Sequence, residues 1–433
     1  MMGAKCLLTL SVYALAVWPA VAGAQERTAN LRDDQPSAIH LAWVEDPSTT
    51  MTIVWHTASR DADSVVEYRQ TGAGEWQRAQ GAERPTGAPG MVHEVTVRGL
   101  APSTQYDYQI AGGDVHTTKT APAGPATFEA LFVADTGMIG REDGLGTGVE
   151  QMMTEIGKME PLVVLLGGDY AYYNTDKRWG TLDKTILAWV EQMKALAVKA
   201  PMMPTYGNHE IFLREGYLFW AEHFPTPEGF DNRRYYSFDI GDAHFVSILA
   251  ANSERGPLAQ SAIDWIDRDM AAARRAGKKW IIPFLHVAPF SDGSNHPSNE
   301  DLRRQVGPLF ESHDVKIALT CHDQSYERTY PLRGVPDNIT LTSKAKDCYT
   351  MDDGVSYLKV SPGGKISNIN HSFATFKNDP PPRWTAFRDN TLHHFAMLKV
   401  SPEELQVDVY GIKGDGSPPV IQDSVRYSGA CPQ

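Results

Sequence analysis

The stretch Leu162-Val163-Val164-Leu165-Leu166-Gly167-Gly168-Asp169-Tyr170-Ala171-Tyr172 joins five consecutive apolar residues to two glycines, a carboxylate and two tyrosines. An apolar run of that length, closed by glycines, reads as a strand buried on both faces. The glycines let the chain turn sharply and let backbone come close to a ligand. Asp169 then falls at the carboxyl end of a strand, where β/α sheets gather reactive groups.

The same arrangement recurs along the chain. Asp135-Thr136-Gly137 follows the run Phe128–Ala134. Gly207-Asn208-His209-Glu210 follows another apolar segment, His286 closes Ile281–His286, and His322-Asp323-Gln324 follows Val315–Thr320. Helical periodicity lies between these runs, over residues 145–158, 181–199, 259–275 and 299–312. Tyr235–Phe238 and Ala243–Leu249 flank Gly241-Asp242, a hairpin signal. From about residue 339 the pattern is β again, with Ser356–Val360, Phe395–Val400 and Leu405–Tyr410 as strands. Strands alternating with helices predict an α/β (α+β) domain over 126–433, two packed mixed sheets flanked by helices.

Residues 36–120 read differently. Met51, Ile53 and Trp55 alternate with polar or smaller neighbours, Val95 and Val97 share a face, and so do Tyr106, Tyr108 and Ile110. Gly, Pro, Asp and Ser clusters separate these runs, as expected for an all-β sandwich. Leu100-Ala101-Pro102-Ser103-Thr104-Gln105-Tyr106 has the form of a tyrosine corner, so the segment is expected to be fibronectin type III-like. Trp43 and Trp55 are expected in its core. Ala121-Pro122-Ala123-Gly124-Pro125 reads as the linker.

Residues 1–24 read as a secretory signal. Lys5 precedes the mostly apolar Cys6–Val17, and Ala22-Gly23-Ala24 has the form of a cleavage site. The apolar run is short for a membrane span. The expected mature protein is exported, to a periplasm or the extracellular space, with no membrane span. A net charge of −13 over 433 residues argues against a nucleic-acid-binding patch. Cys321, Cys348 and Cys431 would remain after cleavage, an odd number that leaves one thiol over. The sequence does not choose the pair. Cys321 lies beside a candidate metal motif, but a structural role is the favoured reading.

Taken singly, each motif has an ordinary explanation. Asp135 could be a helix cap, Tyr172 a core aromatic, Asn208 an Asx-turn, and His286 and His322 buried imidazoles. Jointly, oxygen and nitrogen ligands after successive strands point to a two-metal hydrolase. Asp169, with two carboxylate oxygens, is the natural bridging ligand. Tyr172 as phenolate suits a trivalent ion, and the neutral oxygen of Asn208 suits a divalent one.

These motifs resemble those of the purple acid phosphatases, within the calcineurin-like metallophosphoesterase superfamily. The family patterns Asp-x-Gly, Gly-Asp-x-x-Tyr and Gly-Asn-His-Asp/Glu are matched completely. Val-x-x-His is matched in part by Pro283-Phe284-Leu285-His286, and Tyr326-Glu327-Arg328 resembles the residues after the last motif. The resemblance implies that Asp135, Asp169 and Tyr172 hold a ferric ion. Asn208, His286 and His322 would hold a divalent ion (Zn2+, Fe2+ or Mn2+), with Asp169 shared. The last motif departs from the family, with Cys321 and Gln324 where the family has Gly and a ferric-ligating His. Gln324 ligating through its oxygen, a water in its place, and a half-empty first site all remain open.

The expected reaction is hydrolysis of a small phosphate monoester by a metal-bound hydroxide. His209 would contact the phosphate or leaving oxygen. His296, which resembles a substrate-pocket His of the family, would protonate the leaving group or be a solvated loop residue. Two alternatives stand beside this reading: a phosphodiesterase or nucleotide hydrolase on the same scaffold, and a non-catalytic binding protein with a degraded metal site.

Overall fold

The computed structural model describes residues 35–60, 62–212, 216–251 and 256–431. The signal segment expected over 1–24 lies outside them. Two four-stranded antiparallel sheets form the N-terminal sandwich. One orders Ser37–Ala42, Thr50–Thr57, Met91–Arg98 and Ala82–Pro85, and the other Gln77–Gln80, Val65–Gln70, Gln105–Ile110 and His116–Lys119. The Tyr106 hydroxyl accepts the Ala101 N–H at 2.8 Å, which closes the tyrosine corner. Trp43 and Trp55 are buried in the core.

Two seven-stranded mixed sheets follow. In one, Met202–Pro204, Val163–Leu166 and Phe128–Val133 run parallel and continue into the antiparallel strands His393–Val400, Glu404–Ile412 and Val420–Ser428. In the other, Ala243–Ile248, Trp280–Leu285, Ile317–Thr320 and Ser356–Lys359 run parallel. The central strands are buried on both faces because both faces are covered. Along Phe128–Val133, Ala130 and Phe132 join the core between the sheets, whereas Leu131 and Val133 join the core under the helices. The fold is therefore an N-terminal β-sandwich followed by an α/β domain of two mixed sheets flanked by helices. The Tyr108 hydroxyl donates to Val198 O at 2.9 Å, and Thr118 donates to Lys199 O at 2.8 Å, tying sandwich to α/β domain.

Most helices and strands lie where periodicity placed them, with shorter ends. The span 145–158 yields the helix Val149–Ile156, and 259–275 yields Gln260–Arg275. The span 181–199 is two helices, Leu182–Gln192 and Lys194–Ala197, with a break at Met193. Ile240 pairs with Ala243 across Gly241-Asp242, and Gly241 supplies the positive φ of 57° that a two-residue hairpin turn demands. Cys348 and Cys431 form a disulfide, and Cys321 is a buried free thiol. Among the described residues, no helix is long and apolar enough to cross a membrane.

One charge cluster, built around the buried His244 with more exposed partners, gives the fold a pH dependence. The two ring nitrogens of His244 lie 2.7 Å from Asp239 Oδ1 and 2.9 Å from Asp269 Oδ2. Lys278 also pairs with Asp239, at 2.9 Å, and Ser237 donates to Asp269 at 2.8 Å. Burial alone lowers the His244 pKa, but the two carboxylates outweigh it and lift the pKa from 6.5 to about 9. A raised folded-state pKa gives stability that is complete below the unfolded pKa and is lost as pH rises through the folded one. His244→Gln should therefore cost about 2 kcal/mol near pH 6 and markedly less near pH 10. Melts of both proteins at the two pH values check this, and an equal loss at both would contradict it.

Candidate metal centre

Parallel strands of the two sheets deliver the expected residues to one place. Asp135 follows Phe128–Val133, Asp169 follows Val163–Leu166, Asn208 follows Met202–Pro204, His286 follows Trp280–Leu285 and His322 follows Ile317–Thr320. All five are buried. His286 Nε2 lies 3.2 Å from Asn208 Oδ1, 3.1 Å from His322 Nδ1 and 3.2 Å from Asp169 Oδ2. Asp169, His286 and His322 each bring one ligand atom to within 4.8 Å of the others. The opposite ring nitrogen of His286 faces Gly167 O at 2.9 Å, which turns Nε2 into the cluster. A metal-binding imidazole is oriented in this way.

Beside this group sits a second, more anionic one. The Tyr172 hydroxyl donates to Asp135 Oδ1 at 3.0 Å. Asp135 Oδ2 accepts from Ser361 Oγ at 2.9 Å and from the His322 N–H at 3.2 Å. Gln324 donates through Nε2 to His322 O at 2.9 Å and to Asp135 Oδ1 at 3.4 Å. As placed, its amide turns N–H groups, not its oxygen, toward Asp135. Cys321 packs under His286: Sγ donates to Gly167 O at 2.9 Å and lies 3.2 Å from His286 Nδ1. Burial pushes the thiol up to about 12, so it remains a protonated hydrogen-bond donor.

The backbone is strained where these groups converge. Asp135 (φ 53°), Asp169 (φ 54°), Tyr172 (φ 53°) and His322 (φ 86°) are all in the left-handed region. Such non-glycine conformations cost about 1–3 kcal/mol each and cluster at functional sites. The close approach needs glycine at Gly207, where a Cβ would lie 2.1 Å from Asp169 Oδ1.

The electrostatics separate the two carboxylates. Burial raises both pKa values, but His286 and His209 hold Asp169 below the usual carboxylate range. Asp135 stays raised, by burial and by the neighbouring Asp169 charge. Burial, with the two aspartates, also raises the Tyr172 phenol. A site that crowds two carboxylates, a phenol and two imidazoles out of water is costly unless cations compensate it. The donor set of hard oxygens and imidazole nitrogens fits two such ions.

His209 and His296 flank the cluster, each half-buried. The His209 ring lies 4.2 Å from that of Tyr172, with Nδ1 2.6 Å from Asn174 Oδ1 and Nε2 3.8 Å from Asp169 Oδ2. Burial lowers its pKa to about 4 against the pull of Asp169. The His296 ring packs against that of His322, centroids 3.8 Å apart and planes tilted by 34°.

Other participants were not assigned roles from sequence. Glu210, quoted in a motif, accepts the N–H groups of Gly207 (2.8 Å), Asp169 (2.7 Å) and Tyr170 (2.9 Å), and so stitches the Asp169 and Asn208 loops together. Ser361 and Lys365 follow the parallel strand Ser356–Lys359, and the Lys365 ammonium lies 4.0 Å over the Tyr172 ring. The signal for them was Gly363-Gly364 after a buried strand, the same pattern as at Asp169.

A family model for the N-terminal domain of purple acid phosphatases matches residues 36–123, and one for calcineurin-like phosphoesterases matches residues 110–326. Purple acid phosphatase 18 of Arabidopsis thaliana is 24% identical over 382 residues, spanning 84% of this chain and 79% of that protein. Purple acid phosphatase 23 of the same plant is 26% identical over 321 residues, spanning 66% of this chain and 65% of that one. The structure of purple acid phosphatase PPD1 from yellow lupin (Lupinus luteus) seeds matches with a TM-score of 0.74 at 20% identity, over 92% of this chain and 77% of that one, a likeness of fold. Motifs, fold and relatives agree, and the chain belongs to the calcineurin-like phosphoesterase family as a metal-dependent phosphoesterase of the purple acid phosphatase type.

Proposed function

We propose that the protein is an exported phosphatase that hydrolyses small phosphate monoesters at a binuclear centre holding a ferric and a divalent ion. The observation that carries this reading is the convergence of Asp169, Asn208, His286 and His322 on one point, beside Asp135 and Tyr172. In the proposal Asp135, Asp169 and Tyr172 hold the ferric ion, and Asn208, His286 and His322 hold the divalent one (Zn2+, Fe2+ or Mn2+), with Asp169 common to both. Gln324 acts in the first site chiefly by holding Asp135. Two bound cations supply Lewis-acid chemistry, neutralising charge on the phosphoryl oxygens and making a water more acidic. Residues 126–433 form the catalytic unit and residues 36–120 the fibronectin type III-like sandwich packed on it. Export rests on the leader-like residues 1–24 and on the Cys348–Cys431 disulfide, a bond favoured in oxidising compartments.

In this reading His209 orients the phosphate. Its ring is clamped between Asn174, Tyr172 and Phe212, so it offers one nitrogen in a fixed direction. His296, at the rim over His322, gives its proton to the departing alkoxide. His296→Ala is expected to slow alkyl monoesters about 100-fold while slowing para-nitrophenyl phosphate far less, because a good leaving group needs no proton. Equal slowing of both would refute that role. Monoester specificity is tested by comparing kcat/KM for para-nitrophenyl phosphate and bis(para-nitrophenyl) phosphate. A clear preference for the diester would replace the phosphatase reading with a phosphodiesterase.

A further inference from the structure

The loop 291–298 that carries His296 is held by a buried charged cluster that the chemistry above does not use. Lys359 closes the strand Ser356–Lys359, and its side chain is 1% exposed. Its ammonium donates to Ser291 Oγ at 2.9 Å, to Ser325 Oγ at 3.0 Å and to Asp323 Oδ2 at 3.3 Å, with Glu327 Oε2 3.6 Å away. Asp323 is wholly buried, and its other oxygen accepts the His296 N–H at 2.9 Å. Ser291 Oγ donates to the His296 carbonyl, also at 2.9 Å. One ammonium therefore organises the groups that grip both the N–H and the C=O of His296. Glu327 extends the grip by accepting the Asp292 N–H at 2.7 Å.

The cluster also presses the loop down. A Cβ on Gly293 would lie 1.7 Å from Asp323 Oδ2, so only glycine admits the carboxylate at this distance. A buried ion pair is weak as a source of stability, because desolvation offsets its attraction. Its geometry, by contrast, is directional. Asp323 lies between His322 and Gln324, so its carboxylate ties the His296 loop to the chain segment that carries the metal-site imidazole.

We infer that Asp323 and Lys359 are positioning residues that hold the His296 ring against that of His322, and so at the leaving-group side of the site. The inference rests on the reading of His296 as the leaving-group acid. The test measures kcat for para-nitrophenyl phosphate and for an alkyl monoester in Asp323→Ala, Asp323→Asn and Ser291→Ala, with and without His296→Ala, together with metal content and a crystal structure of Asp323→Ala. Asp323→Ala is expected to slow the alkyl ester about tenfold or more and the aryl ester by less than about threefold, since small misplacements of a catalytic group carry losses of this size. Metal content should be unchanged. Asp323→Asn, whose amide oxygen can still accept the His296 N–H, should recover most of the loss, and Asp323→Ala should add nothing in the His296→Ala background.

Where His296→Ala itself slows the alkyl ester selectively, equal slowing of both esters by Asp323→Ala or a full additional loss on top of His296→Ala would overturn the inference, and an unmoved loop 291–298 in the crystal would overturn it in every case. If Asp323→Ala does not fold, Ser291→Ala decides by the same ratio: selective slowing of the alkyl ester supports the inference and equal slowing overturns it. A displaced loop in Asp323→Ala, combined with no leaving-group preference in His296→Ala, would remove the acid role of His296 and leave the positioning standing.

Discussion

Asp169→Asn is expected to lower kcat/KM by roughly 10³-fold and to strip at least one ion from the purified protein. The substitution keeps the shape of the side chain and an oxygen able to accept the His209 N–H, now 2.9 Å from Oδ1. It removes the charge at the centre of the cluster, where Oδ2 stands 3.2 Å from His286 Nε2 and 3.8 Å from His209 Nε2. Asp169 is held below the usual carboxylate range, whereas Asp135 stays raised by burial and by Asp169 itself. Folding should survive, since Asn relieves a buried charge and leaves the Glu210 contacts to Gly207 and Tyr170 intact. Steady-state kinetics and elemental analysis on the same preparation check it. Activity within tenfold of the parent, with metals retained, would mean that Asp169 is not the shared ligand.

The second large effect is a gain. Gln324→His is expected to tighten metal retention by about tenfold or more, read as resistance to a competing chelator. Gln324 is buried and spends its amide N–H groups on His322 O and Asp135 Oδ1. Flipping the amide to present its oxygen would set that oxygen against the His322 carbonyl. An imidazole brings a stronger neutral donor to the same side of Asp135. If the chelator removes metal equally from both proteins, Asp135, Tyr172 and Asp169 suffice without a further donor and Gln324 is not a weakness.

Much of this site was legible because its parts are local. Apolar runs that end in Gly-Asp or in a histidine can be read from neighbouring residues alone, and they placed Asp135, Asp169, Asn208, His286 and His322 at strand ends, where the structure has them. The hairpin at Gly241-Asp242 was legible for the same reason. The break at Met193 was not, since both segments share one apolar periodicity. Nor were the supporting contacts. Glu210 serves Asp169 from 41 positions away, and Ser361 reaches Asp135 across 226. Lys359 meets Asp323 only because Ser356–Lys359 pairs beside Ile317–Thr320. Tertiary packing creates those pairs, and no spacing along the chain announces them. The positive φ angles at Asp135, Asp169, Tyr172 and His322 are equally silent in sequence, since none of these residues is glycine.

The most direct test of the binuclear reading is elemental analysis of the purified mature protein after metal reconstitution. The account predicts two metal ions per chain, one of them iron. One ion or none would contradict it, and would mean that the site around Asp135, Tyr172 and Gln324 does not hold a metal.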